Sequence, residues 1–101
     1  MKFGLKDETI EKIKSVFIKF PEVEEVIIYG SRAKGNFREG SDIDITLIGK
    51  NLDETIRNKI SIAIDALNTP YLFDISIFKK LNSASLEDHI NRVGQVFYAS
   101  K

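Results

Sequence analysis

The chain predicts one small α/β (α+β) domain, a mixed β-sheet of at least three strands flanked by helices. Three observations lead there. Apolar residues recur at helical spacing in three separate stretches, two other segments alternate polar with apolar at period two, and one short run is β-branched and apolar. These stretches follow the order helix, strand, loop, strand, helix, strand, helix, without a repeat or a linker, which suits a layered structure. The 101 residues suffice for a single core, so residues 1–101 form one domain, with no length left for a second, substrate-binding one. Hydrophobic residues at 43% and charged residues at 30% place it among ordinary globular domains.

The elements follow in order. Ile10, Ile13, Val16, Phe17 and Phe20 trace a helical stripe, which predicts a helix from Glu8 to Phe20, capped by Asp7 and ended by Pro21. Val26-Ile27-Ile28-Tyr29, stopped by Gly30, reads as a buried strand. Asp42 to Leu47 alternates, so Asp42, Asp44 and Thr46 share the face opposite the core. Asn51 with Glu54 resembles a capping pair for a helix carrying Leu52, Ile56, Ile60, Ala63 and Leu67, which Asn68 and Pro70 end. Tyr71 to Phe78 alternates again, with Leu72, Asp74 and Ser76 on one side. Ser85 and Asp88 then open a last helix through Phe97, interrupted near Gly94.

Composition excludes several classes. Fifteen basic residues balance fifteen acidic ones, and no basic run offers the footprint that a phosphate backbone requires, so direct nucleic-acid binding is not expected. The absence of cysteine removes disulfides, thiolate metal sites and cysteine nucleophiles. No stretch approaches the ~20 apolar residues of a membrane span, and the N-terminal residues lack a signal-peptide apolar region. The expectation is a cytoplasmic protein.

The chemistry concentrates in Gly30-Ser31-Arg32-Ala33-Lys34-Gly35 and the nearby Ser41-Asp42-Ile43-Asp44. Carboxylates at i and i+2 of a strand point from one face, which in isolation reads as an exposed acidic strand and in this context as a pair sharing a hard divalent cation that offsets their repulsion. Upstream, Gly30 permits a sharp turn, and a following helical turn aims free N–H groups at an anion. Ser31 adds a hydroxyl, and Arg32 and Lys34 add positive charge. A P-loop would need Lys and Ser or Thr after Gly35, where Asn36 and Phe37 stand, and a calcium loop would not continue as the strand Ile45 to Ile48. Asp74, alone in an apolar run, needs a partner and is expected beside Asp42 and Asp44; its other reading is a solvated edge-strand residue.

These residues, with the five-residue loop Asn36 to Gly40, the later Asp74-Ile75-Ser76 and the terminal stretch Ile90 to Tyr98, resemble the minimal nucleotidyltransferase (MNT) family of the polymerase-β-like superfamily. Lys34 departs from the arginine common there. The resemblance covers nearly the whole chain and implies the nucleotidyltransferase fold. It implies a transferase using two Mg²⁺ ions held by Asp42, Asp44 and Asp74, with ATP as nucleotide substrate. Gly30, Ser31, Arg32, Lys34 and Arg38 would bind the nucleotide, Arg32 first among the cations. The resemblance further implies a helical HEPN-type partner in a toxin–antitoxin pair, AMP being transferred to a tyrosine of the toxin by this domain as antitoxin. Two other readings stay open, a small-molecule (aminoglycoside-like) transferase and an antitoxin that acts by contact alone, and self-pairing into a homodimer is open as well.

Other residues read more plainly. His89, the single histidine, reads as a helical surface residue, and Lys79-Lys80 as a solvated strand end. Phe37 could stack on a base or plug the loop from beneath. Tyr71, Phe73, Phe78, Phe97 and Tyr98 read as core.

Overall fold

The structure, a computed structural model, describes residues 2–38 and 40–100. Glu39 of the motif loop and Met1 of the N-terminal stretch lie outside the described residues. Four strands form one mixed sheet: β1 (Glu25–Tyr29), β2 (Ile43–Ile48), β3 (Phe73–Ile77) and β4 (Gln95–Ala99), in the order β3-β2-β1-β4. β1 runs antiparallel to both neighbours, while β2 and β3 are parallel. A parallel pair needs a crossover, and helix α3 (Glu54–Asp65) supplies it. The other α-helices are α1 (Asp7–Ile18), the single turn α2 (Ser31–Lys34) and α4 (Ala84–Val93), and Phe78–Lys80 form a 3-10 turn after β3 in place of the expected strand end.

One sheet face builds the core. Val26, Ile28, Ile43, Ile45, Leu47, Ile75 and Ile77 are buried there with Ile10, Ile13, Val16 and Phe17 of α1 and Ile60 and Ile64 of α3. Each such side chain contributes about 1.5–3 kcal/mol of transfer free energy, and period-two strands against period-3.6 helices are what this sequence pattern demands.

Helix starts differ from the sequence expectation at the caps. Asp7 is the first residue of α1, not its cap; Lys6 holds that position without a side-chain bond, and Asp7 with Glu8 acts on the helix dipole instead. Asp53, rather than Asn51, caps α3 by accepting from the Ile56 N–H at 2.9 Å. Ser83, rather than Ser85, caps α4 through the Leu86 N–H at 3.2 Å. In both cases the cap sits three residues before the N–H it satisfies, and more than one polar residue near the start could have filled that role.

The larger correction is at the C-terminal end. The predicted last helix stops at Val93, and Gln95–Ala99 form the edge strand β4. Gly94 turns extended (φ −67°, ψ 151°) and brings its backbone against β1, where an added Cβ would meet Ile90 O at 2.5 Å and Ile27 Cγ2 at 2.6 Å. An irregularity between Val26 and Ile27 lets both Phe97 and Tyr98 turn to the Phe17 ring, at 6.4 and 5.6 Å. Pairing with an otherwise open β1 and aromatic burial override the continuing helical spacing.

Candidate active site

Cross-strand register sets the site. Tyr29 lies opposite Asp44 and Asp44 opposite Asp74, so three strands place one row of side chains on the face away from α1 and α3. The next row carries Thr46 and Ser76, where Ser76 Oγ donates to Thr46 Oγ1 at 2.9 Å. Thr46 is fully buried, unlike the open polar face that alternation alone suggests. Asp42 stands immediately before β2 and is exposed, as is Asp74, while Asp44 is half-buried. Part of this face is covered by α4: Ile90 is buried, and the His89 ring meets Tyr29 edge-on at 6.3 Å.

Electrostatics report the crowding. Partial burial, followed by the charges of Asp74 and then Asp42, pushes the Asp44 carboxyl above the ordinary carboxylate range, with His89 pulling the other way. The Tyr29 phenol is also pushed up, first by burial, with a Ser76 hydrogen bond opposing and the Asp74 and Asp44 charges adding. Among the described residues, no three carboxylate or histidine groups are gathered tightly enough to form a ready-made metal cage. The donor set is nonetheless all oxygen and anionic, and the charges of Asp74 and Asp42 raise the cost of ionising Asp44, which is the chemistry that a hard cation such as Mg²⁺ relieves.

The turn after β1 reaches this row directly. Gly30 sits at φ 76°, ψ −157°, a region open essentially only to glycine, and a Cβ there would stand 2.5 Å from Asp44 Oδ2. Ser31 therefore begins α2 beside the carboxylates, and the first N–H groups of such a turn have no helical acceptors. Gln95 of β4 ties the turn down by donating Nε2 to the Ala33 carbonyl at 2.7 Å. Closing the loop, Ser41 N–H donates to Arg38 O and Ser41 Oγ accepts from Arg38 N–H, both at 2.9 Å.

The three cations expected at the nucleotide separate. Lys34 and Arg38 are exposed. Arg32 is only 3% exposed: Nε and Nη2 donate to Ser41 O at 3.1 and 2.9 Å, and Nη1 donates to Phe3 O at 2.8 Å. Its guanidinium lies 5.0 Å from the Phe37 ring centre and 4.8 Å from that of Tyr71, so the half-buried Phe37 packs on Arg32. A cavity of about 420 Å³ lined by Lys2, Phe3, Arg32, Phe37 and Gln95 lies beside this cluster and includes none of the three aspartates.

Sequence reasoning did not single out Tyr29 or His89 as neighbours of the acidic row. The strand run concealed Tyr29's facing partners, and His89 arrives from α4, 45 positions beyond Asp44, through packing that local spacing does not encode.

Comparison with known proteins agrees with this architecture. The family described as "Polymerase beta, Nucleotidyltransferase" matches residues 11–101. A solved toxin–antitoxin structure with AMP-PNP is similar at TM-score 0.70 and 21% identity, over 96% of this chain and 76% of that one. A tri-AMPylated Shewanella oneidensis HEPN toxin in complex with MNT antitoxin is similar at TM-score 0.67 and 18% identity, over 95% and 74%. At these identities the likeness is one of fold. No curated protein matches the chain.

Proposed function

Because the chain belongs to the polymerase beta nucleotidyltransferase family, we propose that it transfers AMP from ATP to a protein hydroxyl, the tyrosine of a HEPN toxin partner, and so acts as an antitoxin. The observation that carries this reading is the opposition of Asp44 and Asp74 in the β2–β3 register, beside a Gly30-Ser31 turn that touches Asp44. Neighbours of the same fold are toxin–antitoxin complexes, one solved with AMP-PNP and one with an AMPylated toxin, which supports both the nucleotide and the partner class.

In this reading Asp42, Asp44 and Asp74 would hold Mg²⁺, which when bound would supply charge neutralisation for the triphosphate and acidify the attacking hydroxyl. The acceptor oxygen attacks the α-phosphorus, the bond to the β-phosphate oxygen breaks, and pyrophosphate leaves. Asp74 would receive the hydroxyl proton, a role that its exposure on the edge strand β3 supports. Ser31 and the N–H groups of its turn hold the departing phosphates, with the exposed Lys34 and Arg38 answering their charge.

Incubating the chain with ATP, Mg²⁺ and a HEPN partner, then weighing the partner by mass spectrometry, tests the proposal. A mass increase of one or more AMP groups is expected. An unmodified partner that is still silenced points to inhibition by contact, and labelled transfer to an aminoglycoside without any partner points to a small-molecule enzyme.

A further inference from the structure

The burial of Arg32 has a geometry that phosphate binding does not explain. Its guanidinium forks onto the Ser41 carbonyl, the peptide link whose nitrogen belongs to Asp42, and its remaining edge reaches Phe3. Tyr71, stacked on one side of it, precedes Asp74 by three residues, and the adjacent Leu72 carbonyl accepts from the Ile43 N–H at 2.9 Å. Arg32 itself follows Ser31 in the turn. One planar cation therefore joins the three segments that carry Ser31, Asp42 and Asp74. No carboxylate is paired with it among the described residues; carbonyl oxygens and ring faces compensate its charge.

We propose that Arg32 is a positioning residue that fixes the peptide before Asp42 and, through Tyr71, its placement relative to Asp74, rather than a ligand of the nucleotide. The inference rests on the reading of these aspartates as the catalytic carboxylates. A lysine cannot reproduce the fork, because a point ammonium lacks two coplanar donors for one carbonyl.

The test compares the wild-type chain with Arg32→Lys by thermal melting, hydrogen exchange, Mn²⁺ affinity and transfer kinetics. Expected is a variant that still melts cooperatively, with faster exchange at the amides of residues 41–43 and about tenfold weaker Mn²⁺ binding. Its kcat should fall about 100-fold, the scale of a small misplacement of reacting groups, with KM for ATP changed less than about threefold because Arg32 does not touch the phosphates. A tenfold or larger rise in KM with kcat and exchange unaltered would make Arg32 a phosphate ligand and overturn the proposal, and so would a variant indistinguishable from wild type. If Arg32→Lys does not melt cooperatively, Tyr71→Leu removes one stacked ring and no hydrogen bond to the guanidinium; unchanged exchange at 41–43 in that variant would equally overturn it. Should the wild-type chain transfer no AMP, the proposed activity fails on its own, while exchange and Mn²⁺ affinity still decide the role of Arg32.

Discussion

A Cβ on Gly30 would stand 2.5 Å from Oδ2 of Asp44, so the turn after β1 and the central carboxylate of the acidic row are in contact across bare backbone. Gly30→Ala should cost about 1–3 kcal/mol of stability from its φ of 76° alone. It should also lower turnover about 100-fold, because the intruding methyl moves a reacting group. Gly35→Ala is the control: at φ 88°, ψ 1° it is left-handed helical, which alanine enters at a cost of about 1–2 kcal/mol, and nothing lies within 4 Å of the added atom. Thermal melts and labelled transfer should show stability loss in both variants and the full activity loss only in the first.

The acidic row also makes a prediction about pH. A carboxyl whose pKa is raised on folding stabilises the fold while protonated. That contribution is present below the unfolded value, near 3.8, and is lost as pH rises through the higher folded value. Asp44→Asn should therefore melt higher than wild type at pH 7 in EDTA, by on the order of one to a few degrees given solvent screening. The difference should shrink as pH falls toward the ordinary aspartate range. A wild-type chain that melts higher at pH 7 would contradict the crowding described here.

Divalent cation should act through the same residues. Adding Mg²⁺ is expected to raise the melting temperature of the wild-type chain by mass action and to leave Asp42→Asn/Asp44→Asn nearly unmoved. The double variant should transfer no label from ATP while keeping its far-UV spectrum. Surviving transfer would remove these two aspartates from the chemistry.

Asp74→Ala separates binding from turnover. Asp74 lies on the edge strand, exposed, while the turn at Gly30-Ser31 approaches Asp44. Equilibrium binding of ATP should stay within about tenfold of wild type, and transfer should fall by 10²-fold or more, the usual weight of a positioned general base. Unaltered turnover would place the proton acceptor elsewhere.

How much of this was legible in the sequence depends on the range of the interaction. Alternation along Asp42–Leu47 and Tyr71–Phe78 placed Asp44 and Asp74 away from the core, because period two is a property of the strand alone. The Gly30 turn was legible for the same local reason. The sequence neighbours of Arg32, Ser31 and Lys34, suggest a phosphate cation, whereas its partners Phe3, Ser41 and Tyr71 come from three other segments that local spacing does not connect. β4 was hidden because Leu86, Ile90, Val93 and Phe97 keep helical spacing across Gly94, and only the unpaired edge of β1 makes a strand the better solution.

The parallel pairing of β2 with β3 joins residues 30 positions apart, and this has a bearing on how the chain matures. Slippage of β3 by one place would swing Asp74 toward the helical layer and set a neighbouring apolar side chain, Phe73 or Ile75, beside Asp44, while separating the Thr46 and Ser76 hydroxyls. Such a misaligned isomer could still collapse, yet it would be chemically silent. The acidic row is thus complete only when β3 docks on β2 in its correct frame, across about 30 residues of intervening chain.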